Sequence, residues 1–379
     1  MQGQDEELED YGTLEIGDNE EHEKEEKAKF YPNMPIKIDK DQYSVFEMKR
    51  KFDKEKICMD PSFQRNFVWS EQQKSELIES VIMGIPLPLL YLAESQQGEL
   101  IVVDGRQRLT TFFDFLDNKF KLSKLRIMRQ LNGKNFAALE KEYANYASTI
   151  EDYQLVVQII KYPTPDRVRF DIFDRVNRGG TPLNKQEMRN ALYQGNATVL
   201  LKKITENSAF LQATGNGISS KHMKDRYIAL RAIAFTLLYT GELKDLKGNI
   251  IEYKSDIEDF LGKTMEYLNN CNMEQMKALE DKFNTVMENI YLSFGENAFR
   301  IPGSDKRKRP ISMTLFETLF YLYYLLLDYD IQYAKVSSKF NLMQDTEFLR
   351  ALQHSVDSSY SVEKRFSKMK EWYREILND

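Results

Sequence analysis

Apolar residues in this chain change between short continuous runs and helical spacing, and the changes mark its elements. Pro61 biases Asp60-Pro61-Ser62-Phe63-Gln64-Arg65-Asn66-Phe67-Val68-Trp69 towards an extended course. Ser70 and Gln73 then stand as a capping box before Leu77, Ile78, Val81 and Ile82, which share one helix face, and Gly84 stops that helix. Leu89 to Leu92 and Leu100 to Val103 are short apolar runs joined by a polar loop with Gly98, the pattern of a hairpin. After a turn at 104–108, the spacing of Leu109, Phe112, Phe113 and Leu116 is helical. Tyr153 to Ile160 is the clearest strand, rich in β-branched residues. The segment 36–52 is weakly amphipathic and reads equally as a helix or as the lead-in to a strand.

Beyond Pro165 the pattern is helical almost throughout. Asp166 to Val176 forms the first helix, with Val168, Ile172, Phe173 and Val176 on one side. Asn184 and Glu187 are spaced as a capping pair for the next. Further helices are expected at 221–240, 255–292, 311–328 and 345–377, where stripes such as Phe316, Phe320, Tyr323 and Tyr324 read as bundle core. The expected architecture is α+β: an acidic tail over 1–32, an α/β domain with a small mixed sheet over 33–164, and an all-α domain over 165–379.

Composition changes this picture in one respect. The net charge of −6 is uneven, because residues 1–30 hold twelve Asp/Glu against three Lys, leaving the remaining body at +3. An acidic arm on a mildly basic body reads either as a solvated leader or as a competitor for a polyanion. Two cysteines and three histidines leave little material for a zinc site or a histidine-based nuclease. No uncharged apolar run spans a membrane and the N-terminus has no cleavable signal pattern, so a cytoplasmic protein is expected.

The candidate chemistry sits at the strand-to-helix turn Asp104-Gly105-Arg106-Gln107-Arg108. Such a turn aims unpaired N–H groups at one place, and the helix dipole favours an anion there. Arg106 and Arg108 add forked donors suited to phosphate, while a carboxylate among them has three uses: holding a cation, orienting an arginine or accepting a proton. The bland alternative is an ion pair of Arg65 or Arg108 with Asp104 or Glu79, and for Asn177 a plain helix cap. Two basic stretches stand apart from this turn. Lys119 to Lys134 contains Lys121, Lys124, Arg126 and Arg129 and no acid, and Lys306-Arg307-Lys308-Arg309 follows Pro302-Gly303. Either is an ordinary solvated face or a DNA phosphate contact.

In sequence order the chain reads Phe-Gln-Arg-x-x-x-Trp, Gly-Ile-Pro-Leu-Pro, Val-Asp-Gly-Arg-Gln-Arg-Leu-Thr-Thr and Phe-x-x-Val-Asn-Arg-Gly-Gly-Thr-Pro-Leu-Asn. This series, over about residues 35–240, resembles the GmrSD-type restriction and phage-defence family, in its GmrS-like half. Arg106 stands where the family signature Asp-Gly-Gln-Gln-Arg has its first glutamine. The resemblance implies a ParB/sulfiredoxin-like N-terminal domain that binds and often hydrolyses a nucleoside triphosphate and acts with a DNA nuclease on modified foreign DNA; Mg²⁺ is the metal expected with the nucleotide. From the chemistry of the turn, Asp104 and Arg108 are the expected catalytic pair, with Asp104 either helping to bind Mg²⁺ or positioning a water. Gln64, Arg65, Gly105, Arg106, Gln107, Thr110, Asn177 and Arg178 join Arg108 around the nucleotide, in a site expected at the domain junction. His22, His222 and His354 lack partners at His-Asn-His spacing, so the nuclease is expected in trans. Sulfiredoxin chemistry is set aside because the signature turn holds no cysteine. The alternative reading is a non-catalytic DNA-binding or scaffold protein, and a homo-oligomer is left open.

Overall fold

The computed structural model describes residues 36–59, 69–95, 98–162, 164, 166–177, 184–301, 309–333, 336 and 345–378, with backbone alone at 166, 167, 174 and 177. These divide into two compact units, 36–192 and 193–378.

The first unit is built on a five-stranded mixed sheet. Its strands are β1 (Ile38–Ser44), β2 (Ile57–Cys58), β3 (Leu90–Glu94), β4 (Leu100–Asp104) and β5 (Gln154–Ile160), in the order β1-β5-β3-β4-β2. The expected hairpin is β3 and β4, paired antiparallel, while β5 runs parallel to β3 and antiparallel to β1. The ambiguous segment 36–52 is both things in succession: β1, then helix α1 (Val45–Asp53), started by a reciprocal capping box of Ser44 and Glu47. Most of β1 is exposed, which is why it carries no apolar signature.

Helix α2 (Glu71–Ile82) begins at the Ser70/Gln73 capping box and turns Leu77, Ile78 and Val81 inward. Helix α3 (Arg106–Leu116) follows the signature turn and buries Leu109, Phe112, Phe113 and Phe115. Together with α4 (Phe136–Glu142) and α5 (Ala144–Asp152) these helices close over one hydrophobic core with Leu92, Val102 and Val157 of the sheet. Helix α6 (Asp166–Asn177) and helix α7 (Lys185–Leu192) pack against β4, so they belong with the sheet and not with the helical region expected from 165 onward. Asn184 and Glu187 cap α7 reciprocally, each backbone N–H donating to the other's side chain.

The second unit is helical, from α8 (Asn196–Glu206) and α9 (Ser208–Ala213) through α10 (Lys224–Thr240), α11 (Ile257–Asn270), α12 (Met273–Phe294), α13 (Met313–Leu325) and α14 (Thr346–Gln353) to α15 (Ser359–Leu377). The single helix expected at 255–292 is two, because Asn272 and Gln275 form a capping box that restarts the chain. The segment 345–377 is likewise split, with Ser358 capping α15. Residues 314–324 of α13 are all buried, the mark of a helix surrounded by others, and α13 packs against α10, α12 and α15. The aromatic stripe is core, with Phe320 against Phe283 at 4.8 Å between ring centres. Among the described residues, no helix is long and apolar enough to cross a membrane.

Candidate functional site: the turn after β4

The register between β3 and β4 slips at Tyr91/Leu92, so β4 carries one extra residue just before Asp104. Such a bulge bends its strand and re-aims the end of it. Gly105 follows with φ +98°, buried, and a Cβ built there would lie 2.0 Å from Leu90 Cδ2. Both the left-handed backbone and the close approach of Leu90 therefore require glycine. Gly105 is also the N-cap of α3, with no side chain capping the helix. The first intrahelical bond is Leu109 N–H to Gly105 O at 2.9 Å, so the N–H groups of Arg106, Gln107 and Arg108 have no acceptor within the helix.

Arg108 does something other than face a ligand. Its side chain turns inward, 9% exposed, and its Nη1 donates to Pro88 O while Nη2 donates to Leu89 O at 3.3 Å and to Asp104 Oδ2 at 2.9 Å. Burial pushes this guanidinium below the ordinary arginine value and Asp104 draws it back up, but an arginine so placed stays charged. The loop it grips is held from the other side by Tyr153, whose hydroxyl donates to Ile85 O and accepts from Leu87 N–H. The motif Gly-Ile-Pro-Leu-Pro is thus the seat against which the signature turn is clamped.

Asp104 is left half-open: its side chain is 38% exposed, with Oδ2 on Arg108. Arg106 and Thr110 are half-buried on the first turns of α3. Gln107 is half-buried too, and its Oε1 is shielded with no hydrogen-bond partner among the described residues. Which end of that amide carries the oxygen follows from the hydrogen-bond network and is interchangeable in shape. Glu79, weighed as an arginine partner, instead accepts Met128 N–H at 2.7 Å.

Gln64, Arg65, Arg178, Lys306, Arg307, Lys308 and the side chain of Asn177 lie outside the described residues. Arg309 is exposed, and its carbonyl accepts from Arg300. Lys121, Lys124, Arg126 and Arg129 lie exposed on one loop. Among the described residues no group of three or more His, Cys, Asp or Glu is placed to hold a metal ion.

One set of polar residues escaped the sequence reading. Arg169 on α6 and Gln186, Glu187, Arg189 and Asn190 on α7 are all buried, on helices that pack against β4. Arg189 is fully buried, donates to Gln186 Oε1 and lies 5.9 Å from the Phe170 ring centre. A run such as Lys-Gln-Glu-Met-Arg-Asn reads as a solvated face. The signal that could have found it is the shared spacing of Gln186, Arg189 and Asn190, which places them on one side of a single helix.

Residues 45–194 match the family model of the GmrSD restriction endonuclease, N-terminal domain. This unit is a GmrSD-type N-terminal domain. The match begins at the first residue of α1 and ends two residues beyond α7, so the family's domain takes in the buried polar helices along with the turn. The matched domain is one that belongs to restriction systems. No curated protein matches the chain as a relative.

Proposed function

We propose that this GmrSD-type protein is the nucleotide-dependent component of its restriction system, binding a nucleoside triphosphate at the turn after β4, hydrolysing it, and licensing DNA cleavage by a partner nuclease. The observation that carries the reading is the uncapped N-terminus of α3, which starts at a left-handed glycine and is seated at the end of a bulged strand. Three N–H groups without helical acceptors, the helix dipole and Arg106 suit a phosphate chain. Asp104 keeps one carboxylate oxygen for Mg²⁺ shared with substrate phosphates, or for orienting a water. Gln107 offers a shielded amide to the same ligand. Arg108 acts at one remove, as a positioning residue that fixes Asp104 and the loop beneath it.

A non-catalytic scaffold is the second reading, favoured by the fact that Asp104 is already engaged by Arg108. Phosphate release from each nucleoside triphosphate, with and without DNA, separates the two. Replacing Asp104→Asn preserves an acceptor for Arg108, and we expect turnover to fall about 100-fold or more with nucleotide binding and the melting temperature little changed. Undiminished hydrolysis by the variant removes Asp104 from the chemistry; binding without release in the parent protein leaves the scaffold.

A further inference from the structure

The loop between α3 and α4 is built as a rigid display of positive charge. Between 122 and 131 its inward-facing apolar residues come at every third position: Leu122, Leu125 and Leu131 are buried, and Met128 packs half-buried on the same core. The residues between these pegs face outward, and they include Lys121, Lys124, Arg126 and Arg129, all exposed. None of the four has a carboxylate partner among the described residues, whereas Lys119 and Lys134 at the two ends of the loop are paired, with Asp114 and Asp117 and with Glu142. The separation is one of position within a single segment, so charge excess alone does not explain it.

The backbone is pinned where the cations project. Lys124 has φ +57°, a left-handed conformation that a lysine adopts at some cost. It is held there from both sides, by Ser123 N–H on Ser75 Oγ and Leu125 N–H on Asn132 Oδ1, each at 2.9 Å. The buried Glu79 carboxylate anchors Met128 N–H, one residue past Ile127, which is 68% exposed between Arg126 and Arg129. A solvated loop needs neither a buried carboxylate as anchor nor a strained lysine. A surface that must meet a polyanion gains from both, because ordering completed in advance is not charged against binding.

We infer that this loop contacts the phosphate backbone of duplex DNA, with Lys121, Lys124, Arg126 and Arg129 on phosphates and Ile127 against the sugar edge between them. The choice of DNA over other polyanions rests on the proposed function. The contact is independent of whether nucleotide is hydrolysed.

The test uses the full chain with Lys121→Gln, Lys124→Asn, Arg126→Gln and Arg129→Gln combined; asparagine is chosen at 124 because it tolerates the left-handed backbone. Binding to a duplex of arbitrary sequence is measured from about 50 to 200 mM salt. We expect affinity at low salt to fall at least tenfold and the slope of log K against log salt to flatten by roughly 3 to 4, since each phosphate contact contributes about 0.9. Nucleotide binding and the melting temperature should be unchanged, which keeps this result separate from any failure at the turn after β4. Ile127→Ser should weaken binding about threefold with the slope unaltered, because an apolar contact releases no counterions; an altered slope overturns its apolar role. Parental DNA affinity and slope in the neutralised protein overturn the assignment. So does retained DNA binding with faster proteolysis of residues 1–30, which would give the loop to the chain's own acidic segment.

Discussion

The two units of this protein treat the same chemistry, an arginine facing a carboxylate, in opposite ways. In the helical unit Glu317 is fully buried between Arg231, at 2.8 Å, and Arg365, at 2.6 Å, and neither guanidinium reaches solvent. Arg231 extends the set to Asp357, and Arg365 donates to Ala351 O and Val356 O. Burial works against the Arg231 charge, but Asp357 and Glu317 outweigh it and hold the group more firmly protonated than usual. In the sheet unit the arginine is buried just as its counterparts are, yet its carboxylate partner, Asp104, stays over a third exposed. Asp357, at the rim of the helical set, is 35% exposed, but the carboxylate at its centre, Glu317, meets no solvent, and such a centre binds helices together. A pair left open at its carboxylate, beside an uncapped helix, retains a group with which to act.

The largest effect should come from breaking the buried centre of the helical network. Glu317→Gln removes the charge shared by two buried arginines, and we expect a loss of about 3 to 5 kcal/mol in urea denaturation, with nucleotide binding by the surviving folded protein unaltered. A loss below about 1 kcal/mol would place that carboxylate on the same footing as a surface pair, and the contrast between the units would lapse.

Gly105→Ala should rank second. The added Cβ meets Leu90 and the left-handed backbone is strained, together about 2 to 3 kcal/mol by thermal or urea unfolding, and phosphate release should be lost along with it. Unchanged turnover in a folded Gly105→Ala protein would mean that the open α3 terminus is not the binding site. Asp104→Asn is the complement, a small stability change with a large kinetic one, since a partly exposed ion pair contributes about 1 kcal/mol or less.

The smallest effect lies in the helical unit, where a carboxylate serves purely as a cap. Asp345 accepts Phe348 N–H at the start of α14 and pairs with Lys368, and these hold its carboxyl below the ordinary aspartate range. A depressed value contributes stability above the unfolded pKa that is lost as pH falls through the folded one. Asp345→Ala should therefore cost about 1 kcal/mol at neutral pH, with the difference from the parent protein shrinking below about pH 4. A gap constant between pH 7 and pH 3 would remove the charge from the account.

Local signals were the legible ones. Ser70 with Gln73 and Asn184 with Glu187 announced their helices because a cap is satisfied within four residues. The β3–β4 hairpin and β5 were readable from continuous apolar runs. β1 was not, since an exposed edge strand paired on one side has no apolar face to betray it. The placement of α6 and α7 was also hidden, because their buried polar residues imitate a solvated surface and only contact with β4 reveals the inward face.

At the turn itself the sequence by itself determined that a strand would end at Asp104, that a glycine would follow, and that a helix would begin among arginines. These are consequences of local steric preference and spacing. That Arg108 turns inward was settled only by contacts distant in sequence. The carbonyls of Pro88 and Leu89, twenty and nineteen residues earlier in the chain, accept from Arg108. The result is an Arg108 turned inward, with one oxygen of Asp104 engaged in holding it.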